Sequence, residues 1–209
     1  SLVEVLRPFL NDIHAAICED QTNAPPGCVW TKQIQHVLSW LLALLSQTQC
    51  KLERRYFYDV YHGRGRRVEI VLDASPWGIG GYLVEDGHIV SWFASPIFAA
   101  EAQALKLEIG SCRIQQAVEA LAALVALRTW AKRWRSAGVF LRVKSDSVSA
   151  LILLVTLKTK GSAAAIIARE IALDIAQACY CPCVAEHVPG VANITCDTLS
   201  RRFMPGKQF

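Results

Sequence analysis

This 209-residue chain has no apolar run long enough to cross a bilayer: stretches such as Trp40 to Leu45 and Ala120 to Leu127 end far short of the length a membrane span needs. It has too little charge for a disordered chain, with 19% charged and 53% apolar residues, so most of it is expected to be packed. It shows no signal-peptide pattern, so a secretion reading has no support, and the lack of an initiating Met suits a piece of a longer polyprotein; a soluble, intracellular setting, cytoplasmic or nuclear, is expected. Its eight cysteines lie inside apolar segments without a regular framework, so reduced thiols are expected rather than disulfides. Cys179, Cys181 and Cys183 form CYCPC, whose one-residue spacing departs from zinc-ligand pairs.

What is present is unevenly placed. The net charge is only +4, but the cations cluster at Arg54 and Arg55, at Arg64, Arg66 and Arg67, and at Arg128, Lys132, Arg133 and Arg135, as suits a polyanionic partner. Residues 1 to 60 read as helical, with Leu2, Leu6, Phe9, Ile13 and Ile17 in one amphipathic pattern and Ile34, Val37, Leu38, Leu41, Leu42 and Leu45 in another, separated by a Pro- and Gly-containing loop. YHGRGRR, residues 61 to 67, reads as a linker, with a boundary near residue 63. From there the period changes. Strands are expected at 67–73, 80–84 and 88–93, then a loop rich in Ala and Glu, and a long helix at about 112–135. A strand at 139–143 follows, then helices at 147–157 and 163–178, a fifth strand at 183–187 and a last helix at 193–203. This order is that of an α/β or α+β sheet covered by helices.

Four acids occupy informative places. Asp73 ends an apolar strand, sharing one face with Glu69 and Val71, where an unpaired buried charge is costly. Glu119 sits among Ala117, Val118, Ala120 and Leu121, with Gln115 and Gln116 near the same helix face. Asp146 ends the fourth strand, and Asp197 begins or precedes the last helix; each alone also reads as an N-cap. Together, without basic partners nearby in sequence, four carboxylates at one sheet edge would repel one another unless cations held them. Oxygen-only ligands suit Mg²⁺ or Mn²⁺, and paired ions of this kind support phosphodiester hydrolysis.

The strings LDASPWGIGGYL, QQAVEALAALVALRTW, VKSDSVSAL and EHVPGVANITCDTLSR, in this order across residues 67 to 203, resemble ribonuclease H of type 1 in the form carried by retroelement reverse transcriptases. The resemblance implies a ribonuclease H-like fold over residues 64–209: a five-stranded mixed sheet with the first strand central, the first three strands antiparallel, and the fourth and fifth parallel to the first. It implies that Asp73, Glu119, Asp146 and Asp197 are catalytic and bind two Mg²⁺ ions, with Mn²⁺ as a substitute. Asp73 would bridge them, Asp197 complete the nucleophile-side ion, and Glu119 and Asp146 hold the other. His187, ten residues before Asp197 with Asn193 between, matches the family's mobile loop histidine, which aids proton transfer or product departure.

By the same resemblance Gln115 and Gln116 match positions that touch the minor groove of an RNA/DNA hybrid, and Lys132, Arg133 and Arg135 stand in for the family's basic handle as nucleic-acid contacts. Residues 1–63 are similar to the helical connection that follows a polymerase, so the polymerase portion of the same polyprotein is an expected partner and a membrane is not. No YxDD polymerase motif occurs. The expected function is endonucleolytic hydrolysis of the RNA strand of a hybrid during reverse transcription. The alternatives are an inactive ribonuclease H-like domain that positions nucleic acid or a polymerase, and an integrase-type nuclease, which would need only three acids.

Overall fold

A computed structural model describes residues 2–18, 23–46, 58–134, 138–159, 161–177 and 182–207. Arg135 and the cysteines Cys179 and Cys181 of the CYCPC stretch lie outside the described residues. The strands are β1 (Arg66–Ser75), β2 (Gly78–Glu85), β3 (His88–Pro96), β4 (Val139–Ser145) and β5 (Pro182–His187). They form one sheet in the order β3-β2-β1-β4-β5. β1 pairs antiparallel with β2 and β2 with β3, whereas β4 is parallel to β1 and β5 to β4. The mixed five-stranded sheet with β1 at its centre is therefore the one expected from the sequence. Because β1, β4 and β5 run the same way, their C-terminal ends share one edge of the sheet.

Helices α1 (Leu2–Ile17), α2 (Thr31–Leu45) and the single turn α3 (Tyr58–Tyr61) precede the sheet. After β3 come α4 (Ala99–Leu105) and α5 (Gln115–Thr129); α6 (Val148–Thr156) and α7 (Ser162–Gln177) link β4 to β5, and α8 (Ile194–Ser200) follows β5, with a 3-10 turn at Arg201–Phe203 after it. The segment read as a loop at the end of β3 is in fact α4. It is built from Ala, Glu, Gln and Leu, strong helix formers, and is closed at its start by the Glu101 carboxylate accepting from the Phe98 N–H at 2.7 Å. The long helix expected at 112–135 is shorter: 3-10 turns at Cys112–Ile114 and Ala131–Arg133 flank α5.

Strand alternation sorts β1 by face. Val68, Ile70 and Leu72 enter the main core with Leu121, Leu124 and Leu127 of α5. Glu69, Val71, Asp73 and Ser75 point the other way, where α8 lies over the end of the sheet and both Asp73 and Ser75 bond to Ser200. The close approach of α8 requires glycine opposite Asp73: a Cβ on Gly80, its register partner, would lie 2.5 Å from the Leu199 Cβ.

α7 packs on α5, α1 on α7, and α2 on α1. Val5, Phe9, Val37 and Leu44, all at most 2% exposed, belong to the same continuous core as the sheet. The two helices before the boundary expected near residue 63 thus share a core with the residues after it, although Leu38, Leu42 and Leu45 of α2 remain exposed. Among the described residues no helix is long and apolar enough to cross a membrane.

Candidate active site

The acids gather at the C-terminal edge shared by β1, β4 and β5. Asp73 stands near the end of β1 and is 7% exposed. Burial first, and then the charges of Asp146 and Asp197, push its carboxyl up to about 7; the Ser200 hydroxyl, which donates to Oδ2, works in the opposite direction. Asp146 follows the last residue of β4, and its carboxylate is one of the neighbours that raise the Asp73 carboxyl. Two further acids therefore act on Asp73 here, and the chain places no cation against it among the described residues.

The N-cap readings of Asp146 and Asp197 do not hold. Ser147 caps α6, its Oγ accepting from the Ala150 N–H at 3.2 Å, and Asn193 stands at the N-cap of α8, leaving Asp197 inside its first turn. Both aspartates are thereby free of a capping duty. Asp197 does have a basic partner, contrary to the sequence reading: Arg201 Nε donates to its Oδ1 at 2.5 Å, one helical turn on, with both side chains substantially exposed.

Glu119 projects from the second turn of α5. Its Oε1 accepts from Gln115 Nε2 at 3.1 Å, and its Oε2 from the Ser147 hydroxyl, with Ser149 Oγ at 3.4 Å. Gln115 Nε2 also donates to the Ala74 carbonyl at 2.7 Å, so one amide ties α5 to the residue after Asp73. The tie through Ser147, the neighbour of Asp146, carries Glu119 to the same edge. His187 is the last residue of β5, paired in register with Ser145, and is exposed. It is a strand end rather than a loop residue, and Val188 beyond it still donates to the Ser145 carbonyl at 3.0 Å.

The remaining expected contacts divide. Gln116 is exposed on the first turn of α5, whereas Gln115 is turned toward Glu119. Lys132 and Arg133 follow the opposite end of α5: Glu119 to Thr129 alone spans about 15 Å of helix. Arg133 is bound there to Glu85 at 3.2 Å. The structure does not bring these two cations to the acids. Nearer cations went unnoticed in the sequence. A groove of about 360 Å³ runs beside Gln116 and Ala117, between the turn bearing Lys106, Ser111 and Arg113 and the start of α7 at Ser162. Lys106 and Arg113 are exposed and form no ion pair among the described residues.

Also unforeseen were the hydroxyls of Ser147 and Ser200, which hold the two interior acids. The signal for them was visible as SDS and LSR, small polar residues beside Asp146 and three after Asp197. Cys196, fully buried beside Asp73, has its thiol pushed up by burial and then by the Asp73 charge, so it is an inert packing group. Cys18, Cys28, Cys112 and Cys196 are free thiols.

The donor set fits a hard divalent cation. It is all oxygen, and its central carboxyl is pushed up to about 7 first by burial and then by the neighbouring carboxylates, whose repulsion a dication would offset. The buried Asn193 Oδ1, behind β1 where Nδ2 donates to the Leu72 carbonyl at 2.9 Å, is a further oxygen with no hydrogen-bond partner among the described residues. Among the described residues no three His, Cys, Asp or Glu side chains already form a closed ligand group for one ion. Asp197 is held by Arg201 in this arrangement.

No family model matches the chain, and no curated protein matches it. Among solved structures it is similar to a ribonuclease H1 isolated from compost by a metagenomic approach, at 17% identity and a TM-score of 0.49, over 66% of this chain and 96% of that one. It is similar also to ribonuclease H1 from the halophilic archaeon Halobacterium salinarum, at 19% identity and a TM-score of 0.47, over 68% and 99%. A foamy viral protease-reverse transcriptase in complex with double-stranded DNA is similar at 13% identity and a TM-score of 0.37, over 90% of this chain and 30% of that one.

Proposed function

We propose that the chain is a divalent-metal-dependent endonuclease that hydrolyses the RNA strand of RNA/DNA hybrids, working beside a polymerase in a retroelement polyprotein. The observation that carries this reading is the buried Asp73, surrounded by Asp146 and Asp197 without a cation of its own, at the edge where Glu119 also arrives. A binding module for a polyanion would be weakened by such a cluster, because carboxylates repel phosphates; a metal-dependent nuclease needs it.

Asp73, Glu119, Asp146 and Asp197 would hold the metal, with Mg²⁺ favoured by the oxygen donors and Mn²⁺ able to replace it. Bound there, such ions would supply the chemistry of an activated water and a stabilised leaving oxygen, leaving 3′-hydroxyl and 5′-phosphate ends. The chain's own residues do the rest. Ser200 and Ser147 fix the carboxylates of Asp73 and Glu119 so that neither must reorganise when the cation arrives. Arg201 keeps Asp197 paired beforehand and has to release it. His187, exposed at the end of β5, would take or return a proton at the edge of the site. Gln116 and the groove beside it, with Lys106 and Arg113, offer amide and cationic contacts to the sugar-phosphate backbone.

Cleavage of a labelled RNA/DNA hybrid in Mg²⁺ and in Mn²⁺, beside duplex DNA and duplex RNA, tests the reading. The expected result is cleavage of the hybrid's RNA strand alone, lost in Asp73→Asn by a factor of about 10³ or more. A folded chain that binds the hybrid in both metals and cleaves nothing would instead mark a positioning domain.

A further inference from the structure

The groove beside Gln116 does not end at α7. Gly161 and Ser162 also line a second groove, of about 480 Å³, which continues between α7 and the two N-terminal helices. Its walls are Pro8, Asn11 and Asp12 of α1, His36 of α2, Thr159 of the turn before α7, and Ala165, Ile166 and Arg169 of α7 itself. Its single acid is already neutralised: Asp12 Oδ2 accepts from the buried Arg169 guanidinium on one side and bonds His36 Nε2 at 3.2 Å on the other. Arg169 Nε also donates to the Pro8 carbonyl at 3.2 Å, tying α7 to α1 at the floor of the groove.

What faces outward is amide, hydroxyl and imidazole, with cations on both rims. Lys158 is exposed one residue before Thr159. Lys32 is exposed one turn before His36 on the same side of α2, whose first turn contains no acid. Neither lysine forms an ion pair among the described residues. Neutral donors flanked by lysines are the groups that contact phosphate and sugar in nucleic-acid complexes without reading sequence.

We propose that the duplex engaged at the acid edge runs on across Gly161 and Ser162 into this second groove, so that α1 and α2 form a backbone-binding extension of the nuclease. This rests on the nuclease reading above and adds a partner surface to it. The helices before the sheet then do more than connect it to another domain. Lys32 of α2, with Lys158 from the turn before α7, supplies positive contacts that Lys132 and Arg133, beyond the far end of α5, are too distant to give.

The test is binding of RNA/DNA hybrids to the full chain by fluorescence anisotropy in EDTA, using a short hybrid and one three times as long, over a range of salt. Three proteins are compared: wild type, Lys32→Ala with Lys158→Ala, and Lys106→Ala with Arg113→Ala. Circular dichroism confirms that each is folded. The expected result is that the Lys32/Lys158 pair loses affinity for the long hybrid by about tenfold, with a salt slope shallower by about one per lost contact, and binds the short hybrid as wild type does. An unchanged long-hybrid affinity and slope in that pair, alongside weakening in the Lys106/Arg113 pair, overturns the extension and leaves the nuclease reading standing. If wild type binds neither hybrid, both fail.

Discussion

β1 carries two acids on the same face, four residues apart, and they live in opposite circumstances. Glu69 is partly exposed and pairs with Lys144 at 2.8 Å and Arg142 at 3.4 Å, basic residues that β4 places beside it and shares with Glu186 of β5. Asp73 is buried and has a serine hydroxyl and two more carboxyls for company. One strand thus contains a charge that the chain neutralises and a charge that it does not. Register explains how both can be built: β4 supplies Arg142 and Lys144 opposite Glu69 and Val71, but ends at Ser145, opposite Leu72, so the next residue toward Asp73 is Asp146. The difference teaches where an outside cation is needed, since an ion-paired acid gains little from one and a desolvated acid among acids gains a great deal.

The largest expected effect follows from that contrast. The Asp73 carboxyl lies at about 7 in the folded chain, against 3.8 for an ordinary Asp. The folded state therefore holds a proton that the unfolded chain gives up first. The stability linked to it is fully present below pH 3.8 and is lost as pH rises through 7, at a cost of about 2–4 kcal/mol. In EDTA, Asp73→Asn is expected to remove this dependence and to raise the melting temperature at pH 8 while changing it little at pH 4. Mg²⁺ should restore wild type at pH 8, by about 2.7 kcal/mol at a hundredfold excess over its dissociation constant, and do nothing for Asp73→Asn. Thermal melts at the two pH values, with and without Mg²⁺, check both halves. A wild type more stable at pH 8 than at pH 4 in EDTA, with no dependence on residue 73, would remove the contrast between the two acids.

Much of this was legible in the sequence for a physical reason: the strands announce themselves by alternation, and Asp73 stands out because a charge at the end of an apolar strand needs an explanation. Asp146 and Asp197 were visible as acids at element ends, though nothing in one dimension excluded capping; only the observed caps, Ser147 and Asn193, do so. The hydroxyls of Ser147 and Ser200 were hidden because their value depends on partners 28 and 127 residues away. Distance was hidden too. The basic run after α5 drew attention by its density, yet helix length carries Lys132 and Arg133 to the other end of the sheet, while the isolated Lys106 and Arg113 come to border the groove. Helix α4 escaped notice because seven residues are too few to establish a period.

Ser200 gives an intermediate effect. It is fully buried, and its hydroxyl is the donor that favours the charged form of Asp73. Ser200→Ala should therefore destabilise the metal-free protein more at pH 8, where Asp73 is ionised, than at pH 4: about 1.5–3 kcal/mol against about 1, by urea unfolding. An equal loss at both values would show that the serine only fills space.

The smallest effect belongs to the other acid. Glu69→Gln removes a charge with two cationic partners, but all three groups are partly exposed, so solvent already screens them and the cost should stay within about 1 kcal/mol. Arg142 and Lys144 would not be stranded, because Glu186 lies within 3.4 and 3.9 Å of them. Hybrid cleavage should be unchanged, since the row of paired charges sits toward the middle of the sheet, away from the acid edge. The pair Glu69→Gln and Asp73→Asn thus compares the same loss of one charge from the same face of the same strand. If Glu69→Gln abolished cleavage, or if the two variants responded alike to Mg²⁺, placement at the strand end would not be what distinguishes them, and the metal-binding role of Asp73 would lose its physical basis.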